Sequence, residues 1–197
     1  MTVGLDYAFG WESVGGFQRT FEENGGQIIQ KIWTPLNTND FAPFIAQVKR
    51  DADAVFGVFF GRAALQFVKQ YDETGMKARV PLIGNGTTTD ESVLPQMGDE
   101  ALGVITTLHY SAALDNPQHV KYARAFETKA GKVPSYYAET CYTNARWIAE
   151  AIKAVGGKLQ NSIIATFPSV SQFWKYNPEE FLKQPLYTRD YPPCKHC

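Results

Sequence analysis

The stretch that decides the fold is Asp53-Ala-Val-Phe-Gly-Val-Phe-Phe-Gly-Arg-Ala-Ala-Leu-Gln-Phe-Val-Lys-Gln-Tyr71. Ala54 to Phe60 is an almost unbroken apolar run, too short for a typical helix and rich in β-branched and aromatic residues. Such a run reads as a strand buried on both faces, as in parallel sheets covered by helices. Gly61 ends it, and Ala64, Phe67, Val68 and Tyr71 then follow a helical spacing. In open α/β sheets a strand-turn-helix of this kind puts its turn at the carboxyl end of the strand, where ligands bind. Phe59, Phe60, Gly61 and Arg62 are therefore the first place to look for function.

On the N-terminal side, Thr2 to Leu5 reads as the end of a strand leading into Asp6-Tyr-Ala-Phe-Gly10. Trp11, Val14, Phe17 and Phe21 recur at three- and four-residue steps, and Asn24-Gly25-Gly26 supplies a C-cap, so an amphipathic helix is expected between them. Its glycines, Gly10, Gly15 and Gly16, read as helix packing, since no phosphate loop of the P-loop or dinucleotide type is present. Ile28 to Trp33 is a second strand. Phe41, Phe44, Ile45 and Val48 outline a helix capped by Asn39 or Asp40.

On the C-terminal side, Val80 to Ile83 is a fourth strand, followed by the polar loop Gly84-Asn-Gly-Thr-Thr-Thr-Asp90. A short helix is expected over Ser92 to Met97, and a fifth strand over Leu102 to Leu108. Strands alternating with helices through short connections imply an α/β fold, an open parallel sheet with helices on both faces. Residues 1–110 form this lobe. Residues 111–157 hold two further helices, Pro117 to Ala130 and Ser135 to Val155, whose apolar stripes need partners that the sheet does not obviously supply. Self-association through those faces is one outcome. Residues 158–197 follow as an extended, irregular tail rich in proline and aromatics.

Composition narrows the function. The 197 residues are 44% hydrophobic and 20% charged, with a formal net charge of −1. That balance fits a globular protein and argues against a nucleic-acid partner. No apolar run is long enough to span a membrane. Met-Thr-Val-Gly-Leu-Asp6 is not a signal peptide, so read literally the chain is cytoplasmic unless it is a piece of something longer. Cys141 lies on the apolar stripe of a helix and is expected to be a buried, inert thiol. Cys194 and Cys197 have CxxC spacing around His196, read as a frayed tail before a redox pair or a metal site. No cofactor or metal is expected, no nucleophile elbow is present, and His109 has no acid or nucleophile near it in sequence. No catalytic residue is assigned.

The strand ends do form a pattern. Tyr7 and Phe9, then Phe59, Phe60 and Arg62, then Asn85, Thr87 and Thr88 should lie along one edge of the sheet. Aromatic walls with a few hydrogen-bonding groups suit a small-molecule cleft. Free N–H groups at the helix starts near Gly10 and Gly61 suit a carboxylate. The alternative, that several of these aromatics merely close the core, stays open.

Asp6-Tyr-Ala-Phe-Gly10, Asn39-Asp-Phe41, Asp53-Ala-Val-Phe56, Pro81-Leu-Ile-Gly84 and Asp115-Asn-Pro117 resemble, in order and spacing, the second half of type I periplasmic binding proteins. In particular they resemble the substrate-binding component of branched-chain-amino-acid-type ABC transporters. The resemblance covers nearly all of residues 1–157. It implies two α/β lobes that close on a ligand, with residues 1 to about 110 as the C-terminal lobe and His109-Tyr110 as a hinge crossing. It also implies ligand contacts from Tyr7–Phe9, Phe60–Arg62 and Asn85–Thr87, a periplasmic location, an amino acid or similar small carboxylate as ligand, and ABC permease subunits as partners. Two departures imply a truncated relative: a first lobe is missing, and Gly156-Gly-Lys158 runs almost straight into the tail. A ligand-sensing domain of a receptor or regulator is the alternative on the same fold.

Overall fold

The computed structural model describes residues 1–154 and 156. The readings made above for the tail, including a strand near Ile163 and Ile164, a helix start at Asn177 and the Cys194/Cys197 pair, lie outside the described residues. The chain divides into two compact units, Met1–Glu139 and Thr140–Cys197. The second is described only through the remainder of one helix.

The first unit is a parallel five-stranded sheet. Its strands are β1 (Thr2–Leu5), β2 (Lys31–Thr34), β3 (Val55–Val58), β4 (Leu82–Asn85) and β5 (Ile105–Thr107), in the spatial order β2-β1-β3-β4-β5. Three helices run between its strands: α1 (Ala8–Glu23), the single turn α2 (Ala42–Ile45) and α3 (Gly61–Glu73). α4 (Pro117–Ala130) and α5 (Tyr136–Ala154) follow.

Alternation along the strands explains the layering, because successive side chains of a strand point to opposite faces. Val3, Leu5, Val55, Phe59 and Leu82 share one cluster with Phe41 and Ile45 near α2 and with Ala64, Phe67, Val68 and Tyr71 of α3. Phe56 and Val58 face the other way and pack with Val14, Phe17 and Phe9 of α1. The Phe17 and Phe56 rings stack with centroids 3.8 Å apart. Helices therefore cover both faces, and the central strand is buried on both.

Several boundaries differ from the sequence reading. α2 stops after one turn instead of continuing to Val48. β4 begins at Leu82, because Val80 closes the turn after α3: its N–H bonds Met76 O at 2.8 Å and its carbonyl accepts the Tyr71 hydroxyl at 2.8 Å. The expected helix over Ser92 to Met97 is a 3-10 turn, Leu94–Gln96. β5 is only three residues long, since a turn at Gly103 leaves Leu102 68% exposed. The α1 stripe is buried only at its middle; Trp11 and Phe21 reach solvent, and the Trp11 indole N–H donates to Asp6 Oδ1 at 2.9 Å. Cys141, expected to be buried, is exposed, because no residue of α5 is buried.

Candidate ligand site

The strand order places a topological switch point at β1 and β3. The chain leaves β1 for α1 on one face and leaves β3 for α3 on the other, which opens a crevice outside the carboxyl ends of the two strands. Both helices start at this crevice. Tyr7 precedes α1 and Phe60 precedes α3, each in extended backbone, and neither helix has a side-chain cap or an acidic residue in its first turn. The first N–H groups of a helix have no intrahelical acceptor, and they carry the positive end of its dipole.

Two glycines make these starts possible. A Cβ on Gly10 would stand 2.0 Å from the Leu5 carbonyl oxygen, so only glycine lets α1 turn this tightly over the end of β1. Gly61 has φ +53, the left-handed region that a side chain disfavours, at the first position of α3.

Of the residues singled out in the sequence, Tyr7, Phe9 and Phe60 come together as three half-buried rings. Tyr7 lies 6.1 Å from Phe9 and 6.0 Å from Phe60, and Phe9 meets Phe60 edge-on at 6.0 Å. These separations and tilts are the ones aromatic pairs favour. Gly61 and the exposed Arg62 continue directly from Phe60 into α3.

Asn85 and Thr87 sit on the neighbouring strand end and are tied to each other. Asn85 Oδ1 accepts the Thr87 N–H at 2.9 Å and contacts the Thr87 hydroxyl. Thr87 is 4% exposed, and its hydroxyl also donates to Phe59 O at 2.6 Å. Thr88, likewise expected at the edge, is buried and receives the Phe59 N–H at 3.3 Å. Phe59 is itself fully buried, stacked on Phe67 at 4.0 Å and edge-on to Phe41 at 5.5 Å. The two threonines thus satisfy the backbone of Phe59 beyond the end of the β-ladder, and Phe60 is presented to the crevice as a result.

Two further aromatics were absent from the sequence reading of the site. Tyr136 and Tyr137 open α5 with ring centroids 4.0 Å apart. Burial first, then the Tyr137 phenol, raises the Tyr7 pKa above its ordinary value. Tyr136 is raised as well, chiefly by burial, then by its bond with Tyr137, with Tyr7 contributing. The Tyr7 and Tyr136 hydroxyls therefore stay protonated as hydrogen-bond donors across the neutral range. His109 stands edge-on to Tyr136 at 5.8 Å, with Nε2 3.8 Å from Glu139 Oε2. The signal available in the sequence was the pair Tyr136-Tyr137 at a helix start. Among the described residues no cluster of His, Cys, Asp and Glu is placed to hold a metal ion, and no helix is long and apolar enough to cross a membrane.

Comparison with known proteins agrees with this architecture. A family model for periplasmic binding proteins matches residues 1–183. A Leu/Ile/Val-binding protein homolog from Brucella melitensis is 34% identical over 163 residues, which are 80% of this chain and 42% of that protein. An ABC transporter substrate-binding protein from Sphaerobacter thermophilus superposes with a TM-score of 0.77 at 35% identity, over 82% of this chain and 45% of that one. A solute-binding protein from Rhodopseudomonas palustris, solved with 4-hydroxybenzoate, gives 0.77 at 32% identity over 83% and 46%. The chain thus spans less than half the length of these relatives. It belongs to the periplasmic binding protein family, type I, of the branched-chain kind, and its sheet matches one lobe of that fold.

Proposed function

We propose that this chain contributes one jaw of a solute-binding component of an ABC importer, and that the crevice at β1 and β3 takes a small carboxylate with a ring-sized apolar body. The observation that carries the reading is the meeting of two uncapped helix starts with three touching aromatic rings. The N–H groups near Gly10 and Gly61, with the Arg62 guanidinium on the same turn, receive the carboxylate. Tyr7, Phe9 and Phe60 pack on its body, and the Asn85 amide supplies a further hydrogen bond. Thr87 acts through Asn85 and Phe59. The ligand is captured and released unchanged, in the periplasm, for delivery to permease subunits. In this reading residues 1–110 are the gripping lobe, and the two helices of residues 111–157 pack on the other lobe.

The 4-hydroxybenzoate held by the Rhodopseudomonas relative supports an aromatic acid. A branched-chain amino acid is the second reading, supported by the name of the Brucella relative. Ligand-observed NMR with benzoate, benzamide and leucine separates these. Benzoate should bind about tenfold more tightly than benzamide, the loss expected when charge-assisted hydrogen bonds become neutral ones. Equal binding of acid and amide, or binding of none of the three, refutes the reading; leucine outcompeting benzoate selects the amino acid.

A further inference from the structure

Asp90 and Glu91 are consecutive in the loop after β4, and each accepts a backbone N–H from a distant part of the chain. Glu91 Oε1 accepts the Ala112 N–H at 2.6 Å and the Ser111 hydroxyl at 3.0 Å. Asp90 Oδ2 accepts the Tyr136 N–H at 3.3 Å, while its Oδ1 accepts the Ser92 N–H at 2.9 Å. Asp90 is 3% exposed. A carboxylate this buried is costly unless hydrogen bonds satisfy both of its oxygens, so both bonds matter.

Residues 111 and 136 are the two ends of one excursion of the chain, which leaves β5, runs through α4 and reaches the start of α5. His119 is the one buried residue of α4, so the excursion is held at its base and not along its length. The base is tied together. His119 Nε2 donates to Ala112 O at 3.1 Å, Asn116 Oδ1 accepts the His119 N–H at 2.8 Å, and the Tyr110 and His119 rings meet at 5.3 Å. The hold of Glu91 on Ala112 is thereby passed to the first turn of α4. Across the same base, His109 Nε2 stands 3.8 Å from Glu139 Oε2.

One group works the other way. Tyr110 is 5% exposed, and its hydroxyl has no hydrogen-bond partner among the described residues. A buried hydroxyl without a partner disfavours the arrangement that buries it, and opening the base would hydrate it. We propose that Asp90 and Glu91 form a clip that closes the base of the α4 excursion, loaded toward opening by the buried Tyr110 hydroxyl. With both bonds made, residues 111 and 136 are fixed to the loop after β4. With the clip open, the excursion moves on residues 108–110, which lie in neither strand nor helix. The clip does not depend on what the crevice binds.

Amide hydrogen exchange on the 197-residue chain tests the clip, because Ala112 and Tyr136 would exchange through one shared opening. Glu91→Ala should speed Tyr136 about tenfold, the effect of losing a hydrogen bond to a charged group, although the acceptor of Tyr136 itself is untouched. Glu91→Gln keeps an acceptor oxygen and loses the charge, so it should speed Tyr136 about threefold, and it stays readable if Glu91→Ala fails to fold. Tyr110→Phe should act in the opposite sense and slow Ala112 and Tyr136 together by about fivefold. Amides of β1 and β3 should exchange as in the wild type throughout. Faster exchange at Ala112 alone in the Glu91 variants leaves two separate contacts and overturns the clip. Acceleration spread equally to β1 and β3 is global loss of stability and overturns a local device. Tyr110→Phe that leaves both amides unchanged, or speeds them, overturns the loading by Tyr110.

Discussion

Replacing Gly10 by alanine tests the geometry on which the site depends. The new Cβ would stand 2.0 Å from Leu5 O and 3.0 Å from Leu5 C, against the 3.4 Å at which ordinary van der Waals contact begins. The obstacle is backbone, so no side chain can rotate away, and the start of α1 must lift off β1. Overpacking of this kind costs ~1–3 kcal/mol. Lifting the helix also withdraws part of the fully buried Val14, whose burial is worth up to ~1.5–3 kcal/mol. Together a loss of roughly 2–4 kcal/mol is expected, which lowers the urea midpoint by about 1–2 M for an m value of ~2 kcal/mol/M. Gly16→Ala is the contrast: it lies in the same helix with nothing within 4 Å of the added Cβ, so it should stabilise by about 0.5–1 kcal/mol. Urea unfolding followed by circular dichroism reads both. A Gly10→Ala midpoint at or above the wild-type value, with an unchanged m value, refutes the close approach of α1 to β1 and with it the placement of the Phe9 and Gly10 amides.

Three further outcomes follow from the structure. Phe60→Ala removes a ring 6.0 Å from both Tyr7 and Phe9; at ~0.5–1.5 kcal/mol per aromatic pair, affinity for benzoate should fall about tenfold, and retained affinity would remove Phe60 from the site. Burial raises the pKa of Tyr71, so the folded chain holds this proton more tightly than the unfolded chain does. That contribution to stability is complete below pH ~10 and is lost as pH rises from there through the folded pKa. Tyr71→Phe should lose about 1 kcal/mol at pH 7, the net worth of the bond to Val80 O, yet show a shallower fall in melting temperature above pH 10. Tyr110 and Tyr136 are raised too, so the fall should be reduced and not abolished; identical alkaline profiles would contradict the burial argument. Cys141 should react with a thiol reagent in the native chain, as read by peptide mass, and protection until denaturant is added would contradict its exposure.

The fold was legible wherever one local pattern had one physical reading. The apolar run at Val55–Val58 had to be covered on both faces. The helix at Pro117–Ala130 matches its sequence bounds because Asn116 caps the His119 N–H at 2.8 Å at one end and Gly131 closes the other. Tyr7, Phe9 and Phe60 were legible because strand ends in a parallel sheet share an edge. What was missed depended on distant partners. Thr87 and Thr88 look like ligand donors in a polar loop, yet the end of β3, some 28 positions earlier, claims their hydroxyls. Phe59 and Phe60 are neighbours in an apolar run, and only the pleat and α3 decide that one goes to the core and the other to the crevice. Asp90 accepts the Tyr136 N–H at 3.3 Å across 46 positions, a contact that no local periodicity encodes. Cys141 was misread because a helical apolar stripe was equated with burial.

The most direct test of the central claim is a ¹⁵N-NMR titration of the chain with benzoate, following backbone amides. The account predicts saturable shifts concentrated at Phe9, Gly10, Gly61 and Arg62, with smaller ones at Asn85. Saturable shifts clustered elsewhere, with these amides unmoved, would contradict it.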